Sequence, residues 1–253
     1  MRIKVINPNT TQSMTDTIGA AAREVAAPRT EIVATSPAMG PASIEDHYDE
    51  AFSAIGVIDE VRKGEAEGFD GYVIACFGDP GLLAAREIAR GPVVGIAEAA
   101  MHMASLVSTG FSVVSTLARS RPILEHLVDA YGMRRACRSV RTTDIAVLDL
   151  EKPESNARSA IVAECRKAMV EDHADCVLLG CAGMADLQRA IAEELGIPVV
   201  DGVAAAVKLV EGLVTLGLRT SKAGGLNYPL PKPYAGVFAP YAPADRTTLR
   251  AAE

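Results

Sequence analysis

Short apolar runs alternate along this chain with longer stretches in which apolar positions recur every three or four residues. The first run, "RIKVI" (Arg2–Ile6), is β-branched and stops at "NPNT". After it Met14, Ile18, Ala21 and Val25 fall on one helical face. "EIVAT" predicts a second strand. "SIED" at 43–46 has the Ser-x-x-acid form of a capping box and predicts a helix from there to about Lys63. "GYVIAC" reads as a buried strand, 80–89 as a helix, "PVVGI" as a short strand and 98–107 as a helix. From Gly110 the order restarts. Strands "FSVVST", "CRSVR", "CVLLG" and "PVV" alternate with helices over 122–130, 154–173, 184–195 and 203–216. Such alternation predicts parallel sheets built from right-handed crossovers.

The second round is in register with the first. Asp70 and Asp175, Cys76 and Cys181, and Gly78 and Gly183 are each 105 positions apart, and Ile6 and Val114 are 108 apart. A nearly constant step over this length implies two homologous α/β halves. Beyond Gly217 the pattern dissolves into "TSKAGGLNYPLPKPYAG", where Pro229, Pro231 and Pro233 alternate. This predicts an extended tail lying on the body, with loose ends beyond about Pro240.

Composition narrows the class. The 253 residues suffice for two domains, and 49% hydrophobic with 23% charged residues is ordinary for a soluble globular chain. With 4% aromatics and no Trp, the core must rest on Ala, Val, Ile and Leu. A net charge of −7 without a basic block argues against nucleic acid or an anionic membrane as partner. No apolar stretch reaches the length of a membrane span, and the start lacks a signal-peptide core. Five cysteines without paired spacing fit a reducing cytoplasm better than a disulfide framework.

The chemistry concentrates in a repeated turn. "CFGDPG" from Cys76 and "CAGMAD" from Cys181 each follow an apolar strand that opens on an aspartate. Ligands bind at the carboxyl ends of parallel strands, where both cysteines fall. A thiol at a helix N-terminus feels the positive end of the dipole, so a lowered pKa is expected for both. Gly78 and Gly183 let each turn present its backbone N–H groups to an anion. If the halves face each other about a pseudo-twofold axis, the two thiols converge on one cleft from opposite sides. A proton could then leave one face of a carbon while another arrives on the opposite face. Packing is the ordinary reading of a lone strand-end cysteine, and it applies to Cys137, Cys165 and Cys176. It fits a repeated pair poorly. Asp70, Asp79 and Asp175 read as turn or capping residues rather than acids in the chemistry.

On the same rim, Asn9 could hydrogen-bond a ligand or cap the following helix by an Asx turn, and Thr116 is balanced between pocket and N-cap. The segment 37–50, "PAMGPASIEDHYDE", is loop-like at its start and could line the pocket through Ile44; its charged end reads as a solvated helix face. No metal is expected: Cys176 and Cys181 point to opposite faces of one strand, and no Cys-x-x-Cys or His-x-x-x-His spacing occurs. No cofactor is expected either, since neither a Gly-x-Gly-x-x-Gly nor a P-loop motif is present.

The motifs "INPNT", "GPASIE", "ACFGDPGLLAARE", "GFSVVST", "GCAGMADL" and "VVDGVAAAVKL" together resemble the hydantoin racemases of the aspartate/glutamate racemase superfamily, over residues 1 to about 236. The resemblance implies two pseudosymmetric three-layer α/β domains with mainly parallel sheets and the active site between them. It implies cofactor-independent racemisation at C5 of 5-substituted hydantoins, with Cys76 and Cys181 as the catalytic pair. It places substrate-holding turns at Asn9, Phe77, Gly78, Thr116, Ala182 and Gly183. The first domain would comprise 1–98 plus 210–253, with the C-terminal helix and tail packed back on it, and the second 99–209. A homo-oligomer acting on a small-molecule hydantoin is the expected assembly. Where amino-acid racemases of the superfamily carry polar residues after each cysteine, this chain has Phe-Gly and Ala-Gly, which suits an uncharged ring imide better than a zwitterion. Allantoin racemases share the pattern, and allantoin is itself a 5-ureidohydantoin. Two rivals stand outside the family: a two-lobed small-molecule binding protein without catalysis, and a redox dithiol protein.

Overall fold

The computed structural model describes residues 1–150 and 152–243. Its frame is two four-stranded parallel sheets. One has the order β2-β1-β3-β4, from β1 (Arg2–Ile6), β2 (Glu31–Thr35), β3 (Gly71–Ile74) and β4 (Val93–Gly95). The other has the order β6-β5-β7-β8, from β5 (Phe111–Ser115), β6 (Cys137–Thr142), β7 (Cys176–Leu179) and β8 (Val199–Asp201). The registers correspond: Ile6 pairs with Thr35 and Ile74, and Val114 pairs with Arg141 and Leu179. The repeat extends to side chains. Asp70 accepts a hydrogen bond from the Arg2 N–H at the start of β1, and Asp175 accepts from the Thr109 and Gly110 N–H groups at the start of β5. The two aspartates act as the capping groups their positions suggested.

Helices cover both faces of each sheet, which is why β3, β5 and β7 are buried end to end. In chain order they are α1 (Gln12–Val25), α2 (His47–Glu67), α3 (Leu82–Ile88), α4 (Ile96–Val107), α5 (Arg121–Ala130), α6 (Ala157–Glu171), α7 (Gln188–Leu195) and α8 (Gly202–Thr215). Several starts differ from the sequence pattern, α6 among them, which begins at Ala157 rather than 154. α2 begins at His47, not Ser43, because Asp46 is its N-cap, accepting from the Asp49 N–H at 3.0 Å. α3 begins only after Gly81, which takes a left-handed φ of 72° that interrupts helix. The stretch after Cys181 winds first as a 3₁₀ turn, Ala182–Leu187, before α7.

One apolar core is shared by both sheets, joining Ile3, Val5 and Ile18 to Phe111, Val113 and Leu178. Two outer cores lie under α2 and α3, around Val57, Val61 and Tyr72, and under α6 and α7, around Ile161, Cys165 and Ile191. Cys165 and Cys176 are packing residues in these cores, and Cys137 sits partly buried on edge strand β6. Two helices cross between halves. α4 packs on β7 and β8 of the second sheet, while α8 packs on β3 and β4 of the first. They meet at their first turns, where a Cβ on Gly202 would lie 2.6 Å from the Ile96 carbonyl oxygen.

The tail lies on the body as its prolines suggested. Thr220 hydrogen-bonds the Arg90 and Gly91 carbonyls, Lys222 the Arg86 and Glu87 carbonyls, and Tyr241 the Asp59 carboxylate. A 3₁₀ turn, Gly236–Tyr241, occupies the start of the expected loose end; residues 244–253 lie outside the described residues. Among the described residues no helix is long and apolar enough to cross a membrane.

Candidate active site

In a sheet of order β2-β1-β3-β4 the chain leaves β1 and β3 toward opposite edges, so their carboxyl ends part and leave a crevice. The same holds for β5 and β7. Asn9 and Cys76 stand past the first pair of ends, and Thr116 and Cys181 past the second. The two crevices open onto a single cavity of about 50 Å³, lined by both thiols together with Asn9, Phe77, Gly78, Thr116, Ala182 and Ile44. Gly183 is set just behind this lining, a Cβ there falling 3.7 Å from the Cys181 sulfur and 3.3 Å from Leu150. A larger groove of about 510 Å³ runs between α2, α3 and the tail, but it holds neither cysteine.

The thiols do not have the lowered pKa expected of them. Burial pushes Cys76 up to about 12 and Cys181 up to about 11. Removing a sulfur anion from water outweighs the favourable backbone dipoles here. For Cys76 that helix is the seven-residue α3, which begins only at Leu82; for Cys181 it is a 3₁₀ turn. What favours the thiolates is local: the Gly78 N–H hydrogen-bonds the Cys76 sulfur and the Gly183 N–H the Cys181 sulfur. These donors therefore serve the cysteines. Like charges add to the rise, Cys181, Asp79 and Glu50 acting on Cys76 and Glu45 on Cys181.

Asn9 makes the Asx turn weighed for it and also lines the cavity. Its carbonyl oxygen accepts from the Thr11 N–H and the Asn7 amide in an Asx turn, while its own amide nitrogen is turned to the Met14 sulfur at 3.4 Å on the cavity wall. Thr116 is buried at the end of β5, with its carbonyl holding the Thr143 and Asp144 N–H groups.

The acidic segment after Ile44 departs from its reading as a solvated face. Glu45, Asp46 and Glu50 all line the cavity. Glu45 accepts from the Val147 N–H, and Asp46 pairs with Arg119 at 2.9 Å, so this segment spans from the first domain to the second. Burial raises the Glu50 carboxyl, opposed by His47 beside it and His126 across the cleft. Charge patterning could not find these residues, because a carboxylate facing a cavity and one facing solvent look alike in sequence. Ile123, Leu124 and Val147 supply an apolar wall from the second domain. Among the described residues no group of three or more His, Cys, Asp or Glu is gathered as a metal would require.

Two similar α/β domains closing on one cavity define a class, and the family model for Asp/Glu/hydantoin racemases matches residues 3–210. The chain belongs to that family and is an isomerase. It is 50% identical over 248 residues to a hydantoin racemase of Pseudomonas sp. (strain NS671), covering 98% of this chain and 100% of that one. It is 48% identical to a hydantoin racemase of Rhizobium meliloti, over 93% of this chain and 98% of the other. The solved structure of an allantoin racemase from Klebsiella pneumoniae superposes with a TM-score of 0.94 at 53% identity, over 96% of this chain and 100% of that one.

Proposed function

We propose that this chain racemises 5-substituted hydantoins at C5, without a cofactor, by proton transfer between Cys76 and Cys181. The observation that carries this reading is that two equivalent strand-end thiols, one from each domain, line one small cavity. One thiolate takes the C5 proton; the electron pair moves onto the C4 carbonyl as an enolate; the opposing thiol then protonates C5 from the other face. The enzyme emerges with its protonation states exchanged, in the form that accepts the product enantiomer. The raised thiol pKa values make the thiolate scarce at neutral pH but a stronger base toward a weakly acidic carbon. With the Gly78 and Gly183 N–H groups engaged by sulfur, the Asn9 amide and the Thr116 hydroxyl are assigned to the ring carbonyls. Phe77, Ala182 and Ile44 form apolar contacts with the ring and its substituent.

The organisation proposed with it is a first domain of 1–98 plus 210–253 and a second of 99–209, supported by α8 lying against the first sheet and by the tail's hydrogen bonds to the end of α3 and the turn before β4. A homo-oligomer is supported by exposed apolar groups on α2 and the tail, among them the packed pair Tyr48 and Phe52, and Val237 and Phe238. Five free thiols fit the cytoplasm.

The test is the optical rotation of a single-enantiomer 5-alkylhydantoin, which should decay to zero with the protein and stay fixed with either Cys76→Ser or Cys181→Ser. In deuterated water each variant should exchange C5 hydrogen with retention, the two favouring opposite enantiomers. Near-wild-type racemisation by either variant would overturn the two-thiol assignment. Allantoin is the second reading, favoured by Glu45 and Glu50 on the cavity wall, whose carboxyls can accept hydrogen bonds from a ureido N–H. A panel of alkyl, aromatic and ureido hydantoins ranks the two by kcat/KM.

A further inference from the structure

The turn after Cys76 contains a buried carboxylate that the proton-transfer scheme does not use. Asp79 is 5% exposed and holds a φ of 46°, in the left-handed region that few residues other than glycine, Asn and Asp adopt. Its backbone closes the catalytic turn, its N–H donating to the Cys76 carbonyl at 3.0 Å. Its side chain reaches away from the turn. One oxygen accepts from the Ala97 N–H at 3.1 Å, and the other accepts from the Glu98 N–H at 2.9 Å and the Tyr131 hydroxyl at 2.7 Å. The first two are the orphan donors at the start of α4; the third belongs to the end of α5, in the other half of the molecule.

The second half solves the same problem differently. There Asp201, the last residue of β8, caps its own helix, accepting from the Val203 and Ala204 N–H groups at 3.2 and 2.8 Å. The equivalent of Asp201 is Gly95, just as the equivalents of Val203 and Ala204 are Ala97 and Glu98. A Cβ on Gly95 would lie 2.2 Å from the Asp79 carboxyl carbon, and its three nearest neighbours are all atoms of that carboxyl. In the first half the capping group comes from the catalytic turn, and it occupies the space that a side chain at the strand end would fill. The equivalent of Asp79 is Met184, fully buried in an apolar core. Only one of the two turns is thus held by a carboxylate.

We propose that Asp79 is the positioning residue for Cys76: a buried strut that fixes the catalytic turn to the N-terminus of α4 and, through Tyr131, to the opposite domain. This rests on Cys76 being a base of the racemase reading. The strut also places a charge beside one thiol that the other lacks. The carboxyl is raised to about 7 by burial, so its own ionisation falls near neutrality. The charged and titratable groups around it are Glu98, paired with Arg86, and Tyr131; those around Cys76 are Glu50, Cys181 and Asp79 itself.

The deciding experiment moves the cap to the strand end. The double variant Asp79→Gly with Gly95→Asp gives the first half the arrangement of the second and relieves the positive φ. If Asp79 is the strut, the thermal midpoint stays close to the wild type while kcat falls on the order of 10–100-fold with KM little changed. Mass-mapped iodoacetamide labelling should then show altered Cys76 kinetics with those of Cys181 unmoved, because the turn has lost its tether while a carboxylate still fills the same space. Recovery of wild-type kcat and Cys76 labelling by the double variant would reduce Asp79 to a cap of α4 and overturn the proposal. If the double variant does not fold, Tyr131→Phe decides: a selective change at Cys76 in a folded protein supports the strut, and unchanged Cys76 labelling and kcat overturn it. Loss of labelling selectivity is independent of turnover, so failure of the racemase reading, judged with the serine variants, is distinguishable from failure of this one.

Discussion

Glu50 and the two thiols belong to one electrostatic unit. The carboxyl lies 3.7 Å from where a Cβ on Gly78 would be, and its negative charge raises Cys76. Glu50→Gln removes that charge, so the alkylation midpoint of Cys76 should move to lower pH while that of Cys181 holds. If the carboxylate accepts a substrate N–H, the same change costs about 1.5–3 kcal/mol, roughly 10–100-fold in kcat/KM, and more for a ureido than for an alkyl hydantoin. The thiols set a pH dependence of definite sign. Both are protonated at neutral pH, so kcat/KM should climb with pH by about tenfold per unit between roughly 7 and 9, before other groups intervene. The stability linkage runs the other way. Folded values of about 12 and 11 exceed the ordinary thiol value of 9.0, so the contribution of the buried neutral thiols is complete below that value and lost as pH rises through the folded ones. A rate profile falling from pH 7 to 9 would contradict the two assignments together.

Among the elements, those written as hydrophobic periods were legible and those set by one side chain were not. β1 and β2 match their sequence runs residue for residue, because β-branched runs between turn residues have one way to fold. The Cys-x-Gly turns were legible because the chain states them twice in register. The start of α2 was misplaced because Ser43 and Asp46 both look like caps, and the contacts of Asp46 with Asp49 and Arg119 decide between them. The rise in thiol pKa was equally hidden, since burial is a property of the closed cavity and not of the turn. Element junctions give their own test. At Gly202, where α8 starts against α4, a methyl group would meet backbone that cannot step aside. Gly202→Ala should destabilise the fold by about 1–3 kcal/mol, read from the urea midpoint with an unchanged m-value. A substitution without effect would mean that the two helices are free to separate.

For the molecule as a whole, the shared core implies that neither domain melts alone. Calorimetry should give one transition with matching calorimetric and van't Hoff enthalpies, and a bound substrate analogue at about 100 times its Kd should raise stability by about 2.7 kcal/mol in that same transition. Two resolved transitions would contradict the continuity of the core.

The crossing of α4 and α8 has a further meaning. Each half lends a helix to the other's sheet and receives one back, the relation between partners in a swapped dimer, here written into one chain. Cleaving the backbone in the turn between α4 and β5, near Thr109, would undo only the covalent fusion. The two fragments, produced separately, should be unfolded, each having an uncovered sheet; produced together, they should trade helices, reassemble as a complex of unlike halves and regain racemisation. The single polypeptide would then be a device for keeping the two thiols at equal dose while each half caps its helix from a different position, Asp79 in one and Asp201 in the other.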